Sequence, residues 1–177
     1  MPTSDILPDV LRPNLKLVIC GTAAAEHFAK LGSYYAGENN RFWRILHETG
    51  LTDRLLHTSE YLDLLSYGIG LTDIAKKAAG VDAKIAQKEY DLESFVQKMA
   101  LFRPQVICFN GKAAAALFFS RQDQRRRKTS QINYGPCLMK DNPAAIFVAP
   151  STSGAARRYW EPGYWHELAG LVNQAQT

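Results

Sequence analysis

Short apolar runs separated by mixed polar stretches recur along the chain. Leu15–Cys20, Pro104–Gly111 and Ala144–Ala149 each contain an unbroken apolar core rather than an alternation of apolar and polar residues. Continuous runs of this kind are typical of strands that are buried on both faces of a parallel sheet. Tyr67–Ile74, which is bracketed by glycines, is interpreted as a further short strand or an extended loop at the same sheet.

The stretches between these runs show helical spacing. Helices are predicted over Asn40–Thr49 with Gly50 as a stop, over Thr52–Leu65 as one or two short helices, from Asp91 as an N-cap, over Lys112–Phe119 and over Tyr159–Asn173. Ala75–Lys88 is polar and mixed, and we expect an exposed loop or a weak helix there.

Strands that alternate with helices predict an α/β fold. We expect a three-layer α/β/α sandwich with a central, mostly parallel four-stranded sheet. Residues 1–14 are expected to form an N-terminal arm, and residues 15–177 a single domain.

Composition narrows the class of protein without indicating an activity. Of the 177 residues, 46% are apolar and 21% are charged, as in a globular domain with a substantial core. The net charge of +4 is compatible with a polyanionic partner. Cys20, Cys108 and Cys137 lie in or beside apolar runs without paired spacing, which predicts reduced thiols, a cytoplasmic location and no metal or other cofactor. No signal peptide or apolar run of membrane-spanning length is evident, so no membrane association is expected.

Several predicted loops should meet at one edge of the sheet. Gly21–Ala25 has almost no side-chain bulk, so a ligand could lie against its backbone N–H groups. The loops at Gly21, Gly70, Asn110 and Pro150 all belong to the carboxyl rim of a parallel sheet, where doubly wound folds bind ligands. A shared pocket is therefore predicted, with an ordinary strand-to-helix turn as the alternative for the Gly21 segment.

The segment Gly32–Trp43 is rich in aromatic and amide side chains. Aromatic faces stack on planar rings, and amides form hydrogen bonds with base edges, so the segment suits a nucleobase pocket. An amphipathic helix with core aromatics is the alternative interpretation.

These motifs, in this order, resemble the uracil-DNA glycosylase superfamily, most closely its mismatch-specific uracil/thymine branch. That branch has G-I-N-P-G after its first strand, an aromatic segment ending in N-R-F-W, and N-P-S-G-L-S-R after its last strand. Here Asn40–Trp43 keeps the second motif intact and Ala149–Arg157 is similar to the third. Gly70–Asp73 and Phe109–Lys112 match in order between them, so the resemblance covers most of the chain from Leu15 onward.

The resemblance implies a DNA glycosylase that acts in base excision repair. It would flip uracil, or another deaminated base, out of DNA and hydrolyse the N-glycosidic bond, leaving an abasic site. Tyr35 would stack on the flipped base and Asn40 would fix the aromatic segment. Backbone N–H groups of Thr22, Ala23 and Ala24 would donate to a uracil carbonyl.

Three departures from the family pattern affect the mechanism. The family places a catalytic Asn or Asp, which orients the attacking water, where this chain has Ala23. The last motif has no histidine to stabilise the departing base, and Ser151 stands nearest to that place. Ala155 replaces the intercalating Leu.

Three side chains are therefore candidates for the missing chemistry. Asp73, the acid on the predicted rim, would orient water or stabilise the sugar cation, with a helix N-cap as its alternative role. Asn110 would pair with the O4 and N3 edge of uracil, or else satisfy a turn. Ser151 is a rival water holder. No lysine lies in the small-residue loop, so simple hydrolysis is favoured over a Schiff-base lyase.

The last motif and one helix start are predicted to grip DNA. The predicted contacts are Lys112, Ser151, Thr152, Ser153, Gly154, Arg157 and Arg158. Arginines that open a helix are unfavourable against its dipole, which indicates an external anion. The basic run Arg121–Lys128 is either a solvated loop or a phosphate contact.

Two rival functions remain open at this point. A protein with the same fold but no water-orienting group would bind damaged or abasic DNA without cutting it. A plain nucleotide-binding domain would hold phosphate at Gly21, although the further glycines of a dinucleotide fingerprint and a P-loop lysine are missing. The expected partner is uracil-containing DNA, double- or single-stranded, and the protein is expected to act as a monomer.

Overall fold

The structure is a computed structural model that describes residues 5–24, 31–79 and 90–174. Its strands are β1 (Leu17–Ala24), β2 (Ile69–Ala79), β3 (Val106–Asn110), β4 (Gly135–Cys137) and β5 (Ala145–Ala149). They form one sheet in the order β2-β1-β3-β5-β4. All pairs are parallel except that of β4 with β5.

Helices cover both faces of this sheet. The α-helices are α1 (Phe42–Glu48), α2 (Leu92–Phe102), α3 (Lys112–Gln122) and α4 (Gly163–Gln174), and 3-10 helices span Thr58–Tyr67, Thr129–Gln131 and Gly154–Tyr159. Within the described residues, every helix is too short or too polar to cross a membrane.

Alternation along the central strand β1 builds the two halves of the core. Leu17 and Ile19 are buried with α1 and α4 on one face. Val18 and Cys20 are buried with α2 and α3 on the other. Since successive side chains of a strand point to opposite faces, one apolar run supplies both cores. The predicted three-layer α/β/α sandwich is confirmed.

The sheet has five strands rather than the predicted four. The additional strand, β4, has only three residues at an edge, too few for a hydrophobic pattern. β2 extends to Ala79, so residues 75–79, expected to be loop or weak helix, are strand instead. The rest of that expectation, on residues 80–88, lies outside the described residues.

Two further boundaries differ from the prediction. Gly21–Ala24, expected to be a loop, continues β1. The last helix, expected from Tyr159, begins only at Gly163, directly after Pro162, because Gly154–Tyr159 forms a separate 3-10 helix. Proline is well suited to a position just before or within the first helical turn, where its missing N–H costs nothing.

The described part of the predicted N-terminal arm lies along β2. Leu7 and Val10 are buried, and Val10 exchanges both backbone hydrogen bonds with Leu71, at 2.9 Å each. Gly70, predicted to lie at the carboxyl rim, is instead at the amino end of β2. It permits the approach of Val10, because a Cβ there would lie 2.7 Å from the Val10 carbonyl oxygen.

The strand order places a crevice beside β1. The chain proceeds from β1 to β2 on one side and then to β3 on the other, so the direction of winding reverses there. In parallel sheets, ligands bind outside the carboxyl ends of the strands at such a reversal.

Candidate active site

A cavity of about 400 Å³ opens at the carboxyl ends of β1, β3 and β5. Every predicted catalytic or base-contacting residue lines it: Thr22, Ala23, Ala24, Tyr35, Asn40, Asp73, Asn110 and Ser151. Among the predicted DNA contacts, Lys112, Thr152 and Ser153 also line the cavity, whereas Gly154, Arg157 and Arg158 do not.

The backbone of β1 forms one wall of this cavity. β2 pairs with β1 from Leu17 to Ala24, whereas β3 pairs with β1 only from Leu17 to Cys20. Among the described strands, Gly21–Ala24 therefore has no partner on its β3 side. Polar groups of the peptide backbone that face this gap are available to a ligand.

Asp73 lies opposite Gly21 in the β1–β2 register and is only 6% exposed. A Cβ built on Gly21 would lie 2.5 Å from the Asp73 Oδ1 atom and 3.5 Å from the Tyr35 hydroxyl. The carboxylate therefore occupies the space that any side chain at residue 21 would need. Gly21 is required here because of this close approach.

Tyr35 is the aromatic residue at this end of the cavity. Its ring stacks on Phe42, with centroids 3.9 Å apart and planes 24° apart. Its hydroxyl is buried without a hydrogen-bond partner in the described structure. Burial, and then the Asp73 carboxylate, raise the pKa of Tyr35 well above its usual range, whereas the neighbouring Asn110 amide lowers it. Tyr35 therefore stays protonated at neutral pH and can donate to a ligand.

A partly buried charged network supports the β2 side of the cavity. Lys76 donates to the Tyr34 hydroxyl at 2.9 Å and pairs with Asp9 at 3.0 Å. Asp9 also pairs with Lys98 at 2.6 Å and accepts a hydrogen bond from Thr72 at 2.7 Å. Although burial raises the pKa of Asp9, these partners outweigh it and leave the pKa below its usual value.

A neutral clamp supports the opposite side. The Asn110 side chain accepts from the Thr152 N–H at 3.0 Å and donates to the Thr152 hydroxyl at 3.0 Å. Thr152 is completely buried. To contact DNA as predicted, the Thr152 side chain would have to break its hydrogen bonds with Asn110. Ser151 and Ser153, on either side of Thr152, are only half-buried. Gly111 lets the loop close, because a Cβ there would lie 3.2 Å from the Ser151 Cβ.

The aromatic segment is tied to the same loop. Asn40 accepts from the Phe42 N–H at 3.0 Å, at the start of α1. The Arg41 N–H donates to the Thr152 carbonyl at 2.9 Å. A Cβ on Gly154 would lie 2.8 Å from the Asn39 Cβ, so the backbone at Gly154 packs directly against the Asn39 side chain.

The arginines of the last motif lie at the end of a helix rather than at its predicted start. Arg157 and Arg158 lie in the last turn of the 3-10 helix Gly154–Tyr159, not at the start of a helix. Cations are favourable at that end, so the dipole argument for an external anion was wrong. Both side chains are exposed, and Arg158 lies over the Tyr159 ring.

Lys112 does open a helix, as predicted. It is the first residue of α3, and its ammonium group lies 4.3 Å from the Tyr134 ring centroid. This cation–π contact holds the charge at the rim of the cavity.

Sequence reasoning missed the residues that hold the cavity in shape. Asp9 was assigned to the arm and Lys76 to a loop, and their pairing joins distant positions that carry no shared motif. The role of Thr152 as the partner of Asn110 also depends on contacts between β3 and the loop after β5.

Fold and cavity together define an α/β domain that binds its ligand at the carboxyl end of a parallel sheet. The model of the uracil DNA glycosylase superfamily matches residues 8–169. The chain belongs to this superfamily. Among solved structures, it is similar to the solution NMR structure of a putative uracil DNA glycosylase from Methanosarcina acetivorans, with a TM-score of 0.62 and 23% identity over 97% of this chain and 98% of that one.

Proposed function

We propose that the protein is a monofunctional DNA glycosylase that hydrolyses the N-glycosidic bond of uracil in DNA. Membership of the superfamily supports a DNA glycosylase with DNA as its partner, and the similar Methanosarcina protein is a putative uracil DNA glycosylase. Hypoxanthine, xanthine and mismatched thymine are further candidate bases. The observation that carries the proposal is the buried Asp73 carboxylate above Gly21, beside the unpartnered hydroxyl of Tyr35.

The cavity suits a base that has been flipped out of the DNA stack. Its volume of about 400 Å³ lies within the usual range for small-molecule sites. One face of Tyr35 is occupied by Phe42, so the base would stack on the remaining face or meet the edge of the ring. The protonated hydroxyl and the open backbone edge of Gly21–Ala24 would then bond to its carbonyl oxygens.

Hydrolysis needs a water, a proton acceptor and a place for the leaving base. The water oxygen forms a bond to the sugar C1′ while the C1′–N bond breaks, and the base leaves with the bonding electrons. Of the backbone N–H groups of Thr22, Ala23 and Ala24, those that point away from β2 stabilise this anion, because N–H groups along a strand alternate between its two sides. Asp73 orients the water and accepts its proton, which supplies the group that Ala23 lacks.

Asn110 and Ser151 act on the opposite side of this site. One N–H of the Asn110 amide bonds to Thr152, and the amide, which also lies beside the Tyr35 hydroxyl, can turn its second N–H to a base carbonyl. The Ser151 hydroxyl accepts from the Ser153 N–H at 3.3 Å and can still donate its own proton to water or base.

The DNA backbone is held around the mouth of the cavity. Ser151 and Ser153 present half-buried hydroxyls, and Lys112 presents a charge on the same rim. Arg157 and Arg158 lie outside the cavity, where they would contact the DNA strand or fill the gap left by the flipped base. Ala155 is too short to intercalate, so Arg158 or Tyr159 would take that place.

The test is an excision assay on duplex and single-stranded oligonucleotides that contain uracil, hypoxanthine, xanthine or a G·T mismatch. We expect alkali-labile abasic sites with uracil, and no enzyme–DNA adduct on borohydride reduction, since no Schiff base forms. D73N should lower the single-turnover rate by a factor of about 10² to 10⁴. The matched control is D141N, an exposed carboxylate at the opposite edge of the sheet, and its rate should equal that of the wild type.

One result would contradict the proposed activity, and a second would contradict only the role of Asp73. Salt-sensitive binding to an abasic duplex with no excision of any base would identify a non-catalytic binder on the same fold. Equal rates for D73N and the wild type would remove Asp73 from the chemistry and leave the β1 backbone and Ser151 to carry it.

A further inference from the structure

A second groove adjoins the base cavity. It has a volume of about 980 Å³ and shares Thr22 and Ala113 with the cavity. Along one side it is lined by α3 and by Arg121–Lys128, called the basic segment below. The basic segment contains four arginines, one lysine and a single carboxylate.

Much of this positive charge is not neutralised by carboxylates of the described residues. Arg121 pairs with Glu93 at 2.5 Å, and Arg127 pairs with Asp123. Arg125, Arg126 and Lys128 are exposed, and no carboxylate within the described ranges lies within 4 Å of any of them. Three neighbouring cations that form no ion pair with a described residue repel one another, and an external polyanion would relieve that repulsion.

The backbone of the basic segment is anchored. The Ser120 hydroxyl accepts from the Arg127 N–H at 2.7 Å and donates to the Ala116 carbonyl at 2.5 Å. The Arg125 N–H donates to the Ser120 carbonyl at 3.1 Å. One serine therefore fixes both sides of the turn and sets the direction of the chain between them. Little backbone ordering would have to occur on binding, which lowers the free-energy cost of association.

We propose that the basic segment is a second DNA-contacting surface, which binds phosphates of the strand that leads away from the base cavity. This inference rests on the proposed function, because it takes the base cavity as the starting point of the strand. It adds a site on the C-terminal side of α3, apart from the predicted contacts around Ser151 and Lys112.

The length of α3 sets the distance between the two sites. Lys112, at the start of this 11-residue helix, lies on the rim of the cavity, and the basic segment follows from its end. At 1.5 Å per residue, the helix spans about 16 Å. Successive phosphates of one strand are about 3.4 Å apart along a duplex, so a strand that follows α3 would meet the basic segment about five nucleotides from the flipped base.

The experiment measures binding of the full chain to a duplex that carries a tetrahydrofuran abasic analogue, over a series of salt concentrations. The variant is R125Q/R126Q. The matched control is R103Q/K140Q, which removes two exposed cations from the groove at the amino end of β3 and β5, outside the groove that Arg125 and Arg126 line. Thermal unfolding checks that both variants fold.

We expect R125Q/R126Q to weaken binding by about tenfold to a hundredfold at 0.1 M salt. The slope of log K against log salt should fall by about 2, as for two lost phosphate contacts, whereas the control should match the wild type. Shortening the duplex to three nucleotides on one particular side of the analogue should abolish the difference between variant and wild type. Shortening the other side should leave that difference in place.

Contrary results would distinguish failure of this inference from failure of the proposed function. Equal slopes for variant and wild type, or equal losses for variant and control, would overturn the inference and leave the glycosylase proposal intact. A wild-type protein that binds no DNA at all would overturn both.

Discussion

The two sides of the base cavity are held in place by different chemistry. On the β2 side, Asp9, Lys76 and Lys98 form a partly buried charged network that also holds the Tyr34 hydroxyl. On the β3–β5 side, two neutral hydrogen bonds between Asn110 and Thr152 hold the loop. The negative charge at the cavity therefore lies on the side whose geometry depends on ionisation.

The proposed catalytic carboxylate, Asp73, therefore lies on one side of the cavity, and the hydrogen bonds that position the loop after β5 lie on the other. A buried carboxylate needs fixed neighbours, because small movements change how well it orients water. The neutral clamp has no charge to balance, so it can close the loop without competing with the developing anion on the base. We expect changes on the two sides to affect different measurements.

Gly21→Ala should have the largest effect on activity. The new Cβ would lie 2.5 Å from the Asp73 Oδ1 atom, so the carboxylate must move. We expect the excision rate to fall by at least about a hundredfold, as for D73N, because the water loses its orienting group. Single-turnover excision of uracil is the measurement.

The control for this change is Gly170→Ala, on the exposed face of α4, where a Cβ meets nothing within 4 Å. It should keep full activity and be more stable by about 0.5 to 1 kcal/mol, as alanine favours a helix over glycine. A fully active Gly21→Ala variant would show that Asp73 can leave its place without consequence.

Asn110→Ala should have an intermediate effect on activity and a clear effect on stability. It leaves the buried N–H and hydroxyl of Thr152 without partners, which costs about 2 to 3 kcal/mol. The loop that carries Ser151 would loosen, and we expect the excision rate to fall about tenfold. Urea unfolding and single-turnover excision measure the two effects.

Asn110→Asp separates the clamp from any contact with the base. An aspartate can still accept from the Thr152 N–H and hydroxyl, so the loop keeps its bonds, but the added negative charge opposes a departing anion. A rate lower than that of the alanine variant would indicate that residue 110 faces the leaving base. Equal rates for the two variants would restrict Asn110 to holding the loop.

Much of the fold could be predicted because it depends on local patterns. β1, β3 and β5 are unbroken apolar runs, and the Asp91 cap accepts from the Ser94 N–H at 2.9 Å as its position suggested. The end of β2 could not be predicted in this way. Lys76 looks like a loop residue until the distant Asp9 pairs with it and lets a lysine be buried in a strand.

The cavity, like the fold, was predictable where it depends on the ends of the strands. Asp73 and Asn110 lie in or at the ends of parallel strands, and the fold brings such positions to one rim. The clamp on Thr152 was not predictable, since it depends on how the loop after β5 folds back. The position of Arg157 and Arg158 could have been predicted from the sequence. Pro162 marks the start of α4, so both arginines lie before this helix and do not open it.

Asp9→Asn should have the smallest effect on excision at neutral pH and the clearest dependence on pH. The pKa of Asp9 lies below its ordinary value of 3.8 in the folded protein, because Lys76, Lys98 and Thr72 outweigh the cost of burial. A depressed carboxyl pKa contributes stability that is present above the unfolded pKa and is lost as the pH falls through the folded one. At pH 7 we expect the variant to be less stable by about 2 kcal/mol, because Lys76 loses its charged partner in a buried site.

The gap between variant and wild type should stay constant from pH 8 to pH 5 and then close below about pH 4, where protonated Asp9 resembles asparagine. Urea unfolding across this range measures the gap. The loss of stability in Asn110→Ala should not change over the same range, since neither Asn110 nor Thr152 titrates. A gap for Asp9→Asn that persisted undiminished to pH 3 would mean that the charge of Asp9 does not support this side of the cavity, and the contrast between its two sides would fail.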